Sequence, residues 1–201
     1  MNHPAAAPRR NGNVSTPSPL VALALFVFVS CALAQNAFAV KPLDPESPEA
    51  TVNAFYGICI EEKVTGLPTD KQFEELRPLI SESLANLLAD ARMEQAEFSR
   101  ENPYEKPPWI EGDLFSSLFE GPTRFTAGKG VVKGNRATVT VSFGDDSAGE
   151  TPFEWKDDVL LVLNADGDWV IDDIVYRGDW DFASKGTLSD ALSPEKPEDD
   201  E

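Results

Sequence analysis

Histidine is almost absent from this chain: of 201 residues one is histidine, two are cysteine and two are methionine. The lone histidine, His3, and one of the cysteines, Cys31, both lie in the first 39 residues. The remainder therefore holds no histidine and a single cysteine, Cys59. Histidine-based triads and imidazole proton shuttles are excluded there. Zinc sites of the usual His/Cys type are excluded as well, and no disulfide can close within that part. Cations are also scarce, with 17 Lys and Arg against 35 Asp and Glu, a formal net charge of −18 and a pI near 4.3. Nucleic acid is a poor partner for such a chain, because phosphate binding needs clustered Lys and Arg. The bulk charge also disfavours docking on anionic lipid. The ordinary consequence of such acidity is a soluble, self-repelling surface. No cofactor motif is present.

What is there begins with a leader. Arg9 and Arg10 are the only charges before Lys41. An apolar run follows from Leu20 to Val29, and then the small-residue triplets Ala32-Leu-Ala34 and Ala37-Phe-Ala39. A basic start, a short apolar centre and an A-x-A end make a bacterial signal peptide, predicted to span 1–39, with Ala34 as the other cleavage position. The run is short for a membrane span, which needs ~20 apolar residues, so no span is expected after processing. Cys31 follows Val29-Ser30 in a pattern that resembles a lipobox, so a lipid anchor at Cys31 is the alternative processing. Either route predicts a periplasmic or secreted protein.

Residues 40–46 read as a lead, 47–192 as one domain and 193–201 as a disordered acidic tail. Ser47-Pro48 supplies an N-cap and first helical position, and Val52, Phe55, Tyr56, Cys59 and Ile60 follow on one helical face. Thr69 to Gln72 is a capping box opening a second helix, which Pro78 divides. A third helix is predicted from about Ser81 to Arg100. Residues 101–124 form an aromatic loop without a clear period. The pattern then changes to alternation: a strand from Phe125 to Val132, a Gly134-Asn135 turn, and a strand through Ala137, Val139, Val141 and Phe143. An acidic loop covers 144–152. A strand from Phe153 to Leu163 follows, then the hairpin turn Asp166-Gly167 and a strand from Trp169 to Tyr176. Helices first and an antiparallel sheet of about four strands afterwards predict an α+β domain with helices over one sheet face.

The first helix with Phe55-Tyr56, and the closing hairpin Asp166-Gly-Asp-Trp169-Val-Ile-Asp-Asp-Ile174, resemble the nuclear-transport-factor-2-like (cystatin-like cone) superfamily. Within it, Gly112-Asp113-Leu-Phe115 together with Trp169-x-Ile171-Asp-Asp resembles a secreted bacterial family, the domain of unknown function numbered 3828. The resemblance covers about 47–192. It implies a bent antiparallel sheet wrapped on helices, a conical body. It implies no particular chemistry, since that superfamily holds both enzymes and binding modules.

Three carboxylates are the candidate acids or bases. Asp113 lies among Trp109, Ile110, Leu114 and Phe115, where an apolar pocket would raise its pKa; the competing role is an N-cap for a helix starting at Leu114. Asp172 and Asp173 break the alternation of their strand, so they mark either a pocket acid or a β-bulge that returns Ile174 to the core. Tyr56, Trp109, Phe115, Arg124, Trp169 and Tyr176 are candidate pocket residues, with Tyr104 and Trp155 as further aromatics; spacing fits core packing equally well. Glu120 and Arg124 stand at pairing distance in sequence. Cys59, on the apolar stripe, reads as a small buried hydrophobe. Asp166-Gly-Asp168 lacks the further ligands of a calcium loop and reads as a hairpin, so no metal is expected.

The sequence thus leans away from an enzyme, towards a domain that binds a small ligand or a protein. One alternative is a carboxylate-based isomerase or dehydratase using a Tyr/Asp pocket. Another is a partner-specific periplasmic role, such as neutralising an effector. Homodimer formation through the sheet is open.

Overall fold

The computed structural model describes residues 47–147 and 153–193. The predicted leader, its Cys31, the lead and all but the first residue of the tail lie outside them, as does most of the acidic loop. Three helices precede the sheet in the chain: α1 (Pro48–Glu61), α2 (Asp70–Leu76) and α3 (Glu82–Glu101). Ser47 caps α1 by accepting from the Ala50 amide at 3.2 Å. Val52, Phe55 and Tyr56 bury one face of it. The capping box forms as expected, with Thr69 and Gln72 bonding each other's backbone. Pro78 ends α2 in a short 3-10 turn, Arg77–Leu79, since proline can neither donate nor sit comfortably mid-helix. Ser81 then caps α3.

The fold is α+β, with a bent antiparallel sheet of five strands that does not close: β1 (Arg124–Ala127), β2 (Val131–Lys133), β3 (Arg136–Asp145), β4 (Phe153–Leu163) and β5 (Trp169–Val175). The strand expected over Phe125 to Val132 is split into β1 and β2. Both pair with β3, with Ala127 opposite Val141 and Val131 opposite Thr138. Three residues, 128–130, thus face two on β3, a bulge. Its cause is visible at Gly130, whose amide donates to the Glu49 carboxylate on α1 at 2.7 Å instead of to the ladder.

The inner face of the sheet is lined by Val139, Val141, Phe143, Trp155, Val159, Leu161, Ile171 and Ile174, and α1 lies across β1, β3 and β5. The alternation in β5 is restored by a bulge. Leu160 pairs with Asp173 and Leu161 with Ile171, which leaves Asp172 as the extra residue. Ile171 and Ile174 are consequently both fully buried. A last helix, α4 (Leu188–Leu192), returns against β5 and α3. Among the described residues no helix is long and apolar enough to cross a membrane.

Candidate functional site

Residues 102–123 have no regular secondary structure, so hydrogen bonds to distant elements must fix their path. The Gly66 amide donates to Gly112 O at 2.6 Å, and the Gln95 side chain to Pro108 O at 2.6 Å. The Trp109 indole donates to Ala191 O at 2.9 Å, tying the loop to α4. Two phenols hold its next turn: the Tyr56 hydroxyl donates to Phe115 O at 2.9 Å and the Tyr176 hydroxyl to Leu114 O at 2.6 Å. Further on, the Ser117 amide and hydroxyl both donate to the wholly buried Asp157 of β4, the amide at 2.8 Å. Asp157 also accepts from the Arg177 amide at 2.7 Å, and the Ser117 oxygen accepts from the Gly178 amide at 3.0 Å. Asp157 and Ser117 thus knot three segments together with every acceptor supplied by a donor, the condition under which a buried carboxylate is tolerated.

Where this loop passes the C-terminal half of α1 it leaves a cleft of about 390 Å³. One wall is Tyr56, Cys59, Ile60 and Lys63; the other is Asp113 and the stretch 120–123. Asp113 is half-buried and closes a tight turn, accepting from the Phe115 amide while its own amide donates to Phe119 O at 2.8 Å. No helix follows, so the N-cap expectation at Asp113 is corrected: the same side-chain-to-amide bond caps an Asx-type turn in irregular chain. Removal from water pushes its carboxyl up from 3.8 to about 7, against the lowering effect of the Phe115 and Ser116 amides. Gly121 lets the carboxylate in. Its φ is +77°, and a Cβ there would stand 2.6 Å from Asp113 Oδ2. Burial, and next the Asp113 charge, raise the Cys59 thiol well above its ordinary range, so it is no thiolate at neutral pH. Burial likewise raises both Tyr56 and Tyr176.

The other residues singled out from sequence lie elsewhere. Asp173 accepts from the Ile174 amide at 2.8 Å and from the Ser189 amide at 3.0 Å, so it holds the start of α4. Neither it nor the bulged Asp172 lines the cleft. Phe115 is core, edge-on to Phe55 at 5.1 Å. Trp169 is buried, and its carbonyl accepts from the Thr51 hydroxyl at 2.8 Å. Trp109 packs on the core and is not in the cleft, and Tyr104 is fully exposed. Arg124 pairs with Asp146 at 3.1 Å and Glu154 at 2.8 Å, not with Glu120, because its strand carries it to the outer face beside β3 and β4. Asp157 escaped the sequence reading although Trp155-x-Asp157-x-Val159-x-Leu161 set it on the buried parity. Among the described residues no group of three or more His, Cys, Asp or Glu is arranged to hold a metal ion.

The chain is similar to the uncharacterized lipoprotein YbjP of Escherichia coli (strain K12). The two are 29% identical over 146 residues, which is 72% of this chain and 75% of that protein. No protein-family model matches the chain. No solved structure matches it.

Proposed function

We propose that this is an extracytoplasmic, envelope-associated protein that holds a small ligand without chemical change, on a body of the nuclear-transport-factor-2-like type. The export-type leader and the similarity to a lipoprotein support the location. Helices followed by an antiparallel sheet support the body type. One observation carries the ligand reading: a half-buried carboxyl, Asp113, in the wall of a cleft whose volume falls in the ~300–1,000 Å³ range of small-molecule sites. One half-buried carboxyl, Asp113, in a wall whose other charged side chains, Glu120 and Lys63, are exposed suits a small molecule with one cationic or hydrogen-bond-donating group and an apolar remainder.

One observation favours an enzyme instead: a carboxyl with a pKa of about 7 is poised for general base work. Against it, the nearby phenols are spent on the carbonyls of Phe115 and Leu114, so neither is free to stabilise developing charge. Saturation-transfer NMR against a set of small amines and amides tests the binding reading, with Asp113→Asn as control. Binding in the millimolar range or tighter that Asp113→Asn weakens tenfold or more supports it. Absence of any binder, or binders indifferent to Asp113→Asn, overturns it, and turnover of a bound compound moves the conclusion to the enzyme.

A further inference from the structure

The acidity of this chain is not evenly spread. From Gly121 to Gly144 there is no Asp or Glu, while Arg124, Lys129, Lys133 and Arg136 fall in that stretch. Arg124 is neutralised by Asp146 and Glu154. Lys129, Lys133 and Arg136 have no carboxylate within ion-pair distance among the described residues, and all three are exposed.

They surround β2, which is exposed along its whole length. Val131 is 59% exposed and Val132 53%. Val132 lies opposite Ala137 and Val131 opposite Thr138, so the two valines leave opposite faces of the ribbon and both reach solvent. A two-residue turn, Gly134-Asn135, completes a hairpin with cations on either side of two bare valines. An isolated exposed valine needs no explanation; a pair ringed by three unpaired cations in an otherwise anionic molecule does.

The position of the hairpin supplies the occupant. Its root is bonded to the first turn of α1 through Gly130 and Glu49, and a Cβ on Gly130 would stand 3.3 Å from Pro48 Cβ. The described body therefore begins beside this hairpin. Residues 32–46 connect it to Cys31, roughly fifty ångströms at full extension. A lipid on Cys31 would tether this end of the described body within that reach of a bilayer.

We propose that the β2–β3 hairpin, through Lys129, Val131, Val132, Lys133 and Arg136, docks on an anionic phospholipid surface. This inference shares with the ligand reading only the envelope location; the cleft plays no part in it. The net negative charge of the whole chain, which disfavours such docking in bulk, opposes it only weakly at this site, because charges beyond a Debye length of ~8–10 Å are screened at physiological salt and the nearby Glu49 carboxylate, which interacts with Lys129, is committed to the Gly130 amide. The cations give attraction and the valines give shallow insertion at the headgroup level.

Amide hydrogen exchange of the full-length chain decides the matter. It is followed on vesicles of phosphatidylglycerol with phosphatidylethanolamine and on vesicles of phosphatidylcholine alone. Exchange over 128–136 is expected to slow about tenfold on the anionic vesicles only, and to recover in about 0.5 M salt. The variant Lys129→Glu/Lys133→Glu/Arg136→Glu should lose that protection while α1 and β4 exchange as in the parent, which certifies its fold. Single reversals should each weaken vesicle partition at least about fivefold. Val131→Asp/Val132→Asp should lose protection with the cations intact. Equal exchange on both vesicle types, or protection that survives the triple reversal, overturns the proposal. So does protection produced equally by soluble polyglutamate without vesicles, which would assign the hairpin to an acidic protein.

Discussion

Two aspartates flank the same loop and have opposite fates. Asp157 is fully buried, yet it receives the Ser117 amide and hydroxyl and the Arg177 amide. Asp113 is only half-buried, but it faces a cleft in which desolvation outweighs the amides that its turn supplies, and its carboxyl rises to about 7. Burial alone does not make a carboxylate reactive. What decides is whether donors compensate for the water removed. On that criterion Asp157 is a fastening and Asp113 is available to a ligand or a proton.

Asp157→Ala tests the contrast most severely. It strands the Ser117 amide in the interior, leaves the Arg177 amide only the Ser117 hydroxyl oxygen at 3.1 Å, and releases the 113–121 loop from β4. A loss of about 3–5 kcal/mol is expected in urea unfolding, because several buried donors lose a charged acceptor together. Asp157→Asn keeps an acceptor and should lose about half as much. Should Asp157→Ala unfold with the parent, the knot has no structural role and the comparison fails.

Asp113→Asn should act in the other direction. The folded-state pKa of Asp113 lies above its unfolded value, so the folded chain holds the extra proton between about pH 4 and pH 7. The group therefore costs no stability below about pH 4, costs progressively more as pH rises, and reaches its full cost above pH 7. Asparagine can still accept from the Phe115 amide and carries no charge. The variant should be about 2 kcal/mol more stable than the parent at pH 8 and equal to it at pH 4, discounting the full conversion because part of the carboxyl meets water. Unfolding at the two pH values checks this, and a parallel pH dependence in both proteins would remove Asp113 as the titrating group.

Gly121→Ala brings a methyl group to the Asp113 carboxylate and imposes a left-handed φ on a residue with a Cβ. A cost of about 1–2 kcal/mol is expected, with loss of the cleft's ligands, since the carboxylate must move out of the wall. Ligand affinity unchanged beside a lowered Tm would place the ligand elsewhere.

Local chemistry was legible in this sequence and remote partnership was not. Ser47-Pro48, the Thr69–Gln72 box and the Gly134-Asn135 turn each act within a few residues of themselves. Alternation located β3, β4 and β5, because a strand with one buried face must alternate. The doublet Asp172-Asp173 stood out as a conflict in that pattern, and a bulge resolves it. The single strand expected over Phe125 to Val132 failed at Gly130, whose amide is claimed by Glu49, 81 residues away. Arg124 failed for the same reason: Glu120 is its neighbour in sequence, but the sheet puts Glu154 and Asp146 beside it. Asp157 finds its donors 40 and 20 residues away, and no local period records them. The cleft is built almost wholly from such remote pairings.

The smallest effect sharpens the contrast between the two aspartates most finely. The Tyr176 hydroxyl holds Leu114 O, next to the titrating Asp113 and three residues before the fastened Ser117. Tyr176→Phe should cost about 1 kcal/mol, the net worth of one hydrogen bond between neutral groups. If the phenol keeps the turn closed against water, its loss also rehydrates the Asp113 carboxyl. The Asp113 midpoint, followed by carboxyl-carbon NMR, should then fall from about 7 towards the usual carboxylate range. Tyr56→Phe, at the neighbouring carbonyl of Phe115, should shift it in the same sense. A midpoint unmoved in both variants would mean that the apolar wall, and not the closure of the turn, keeps water from Asp113. The phenols would then be fastenings of the same kind as Asp157.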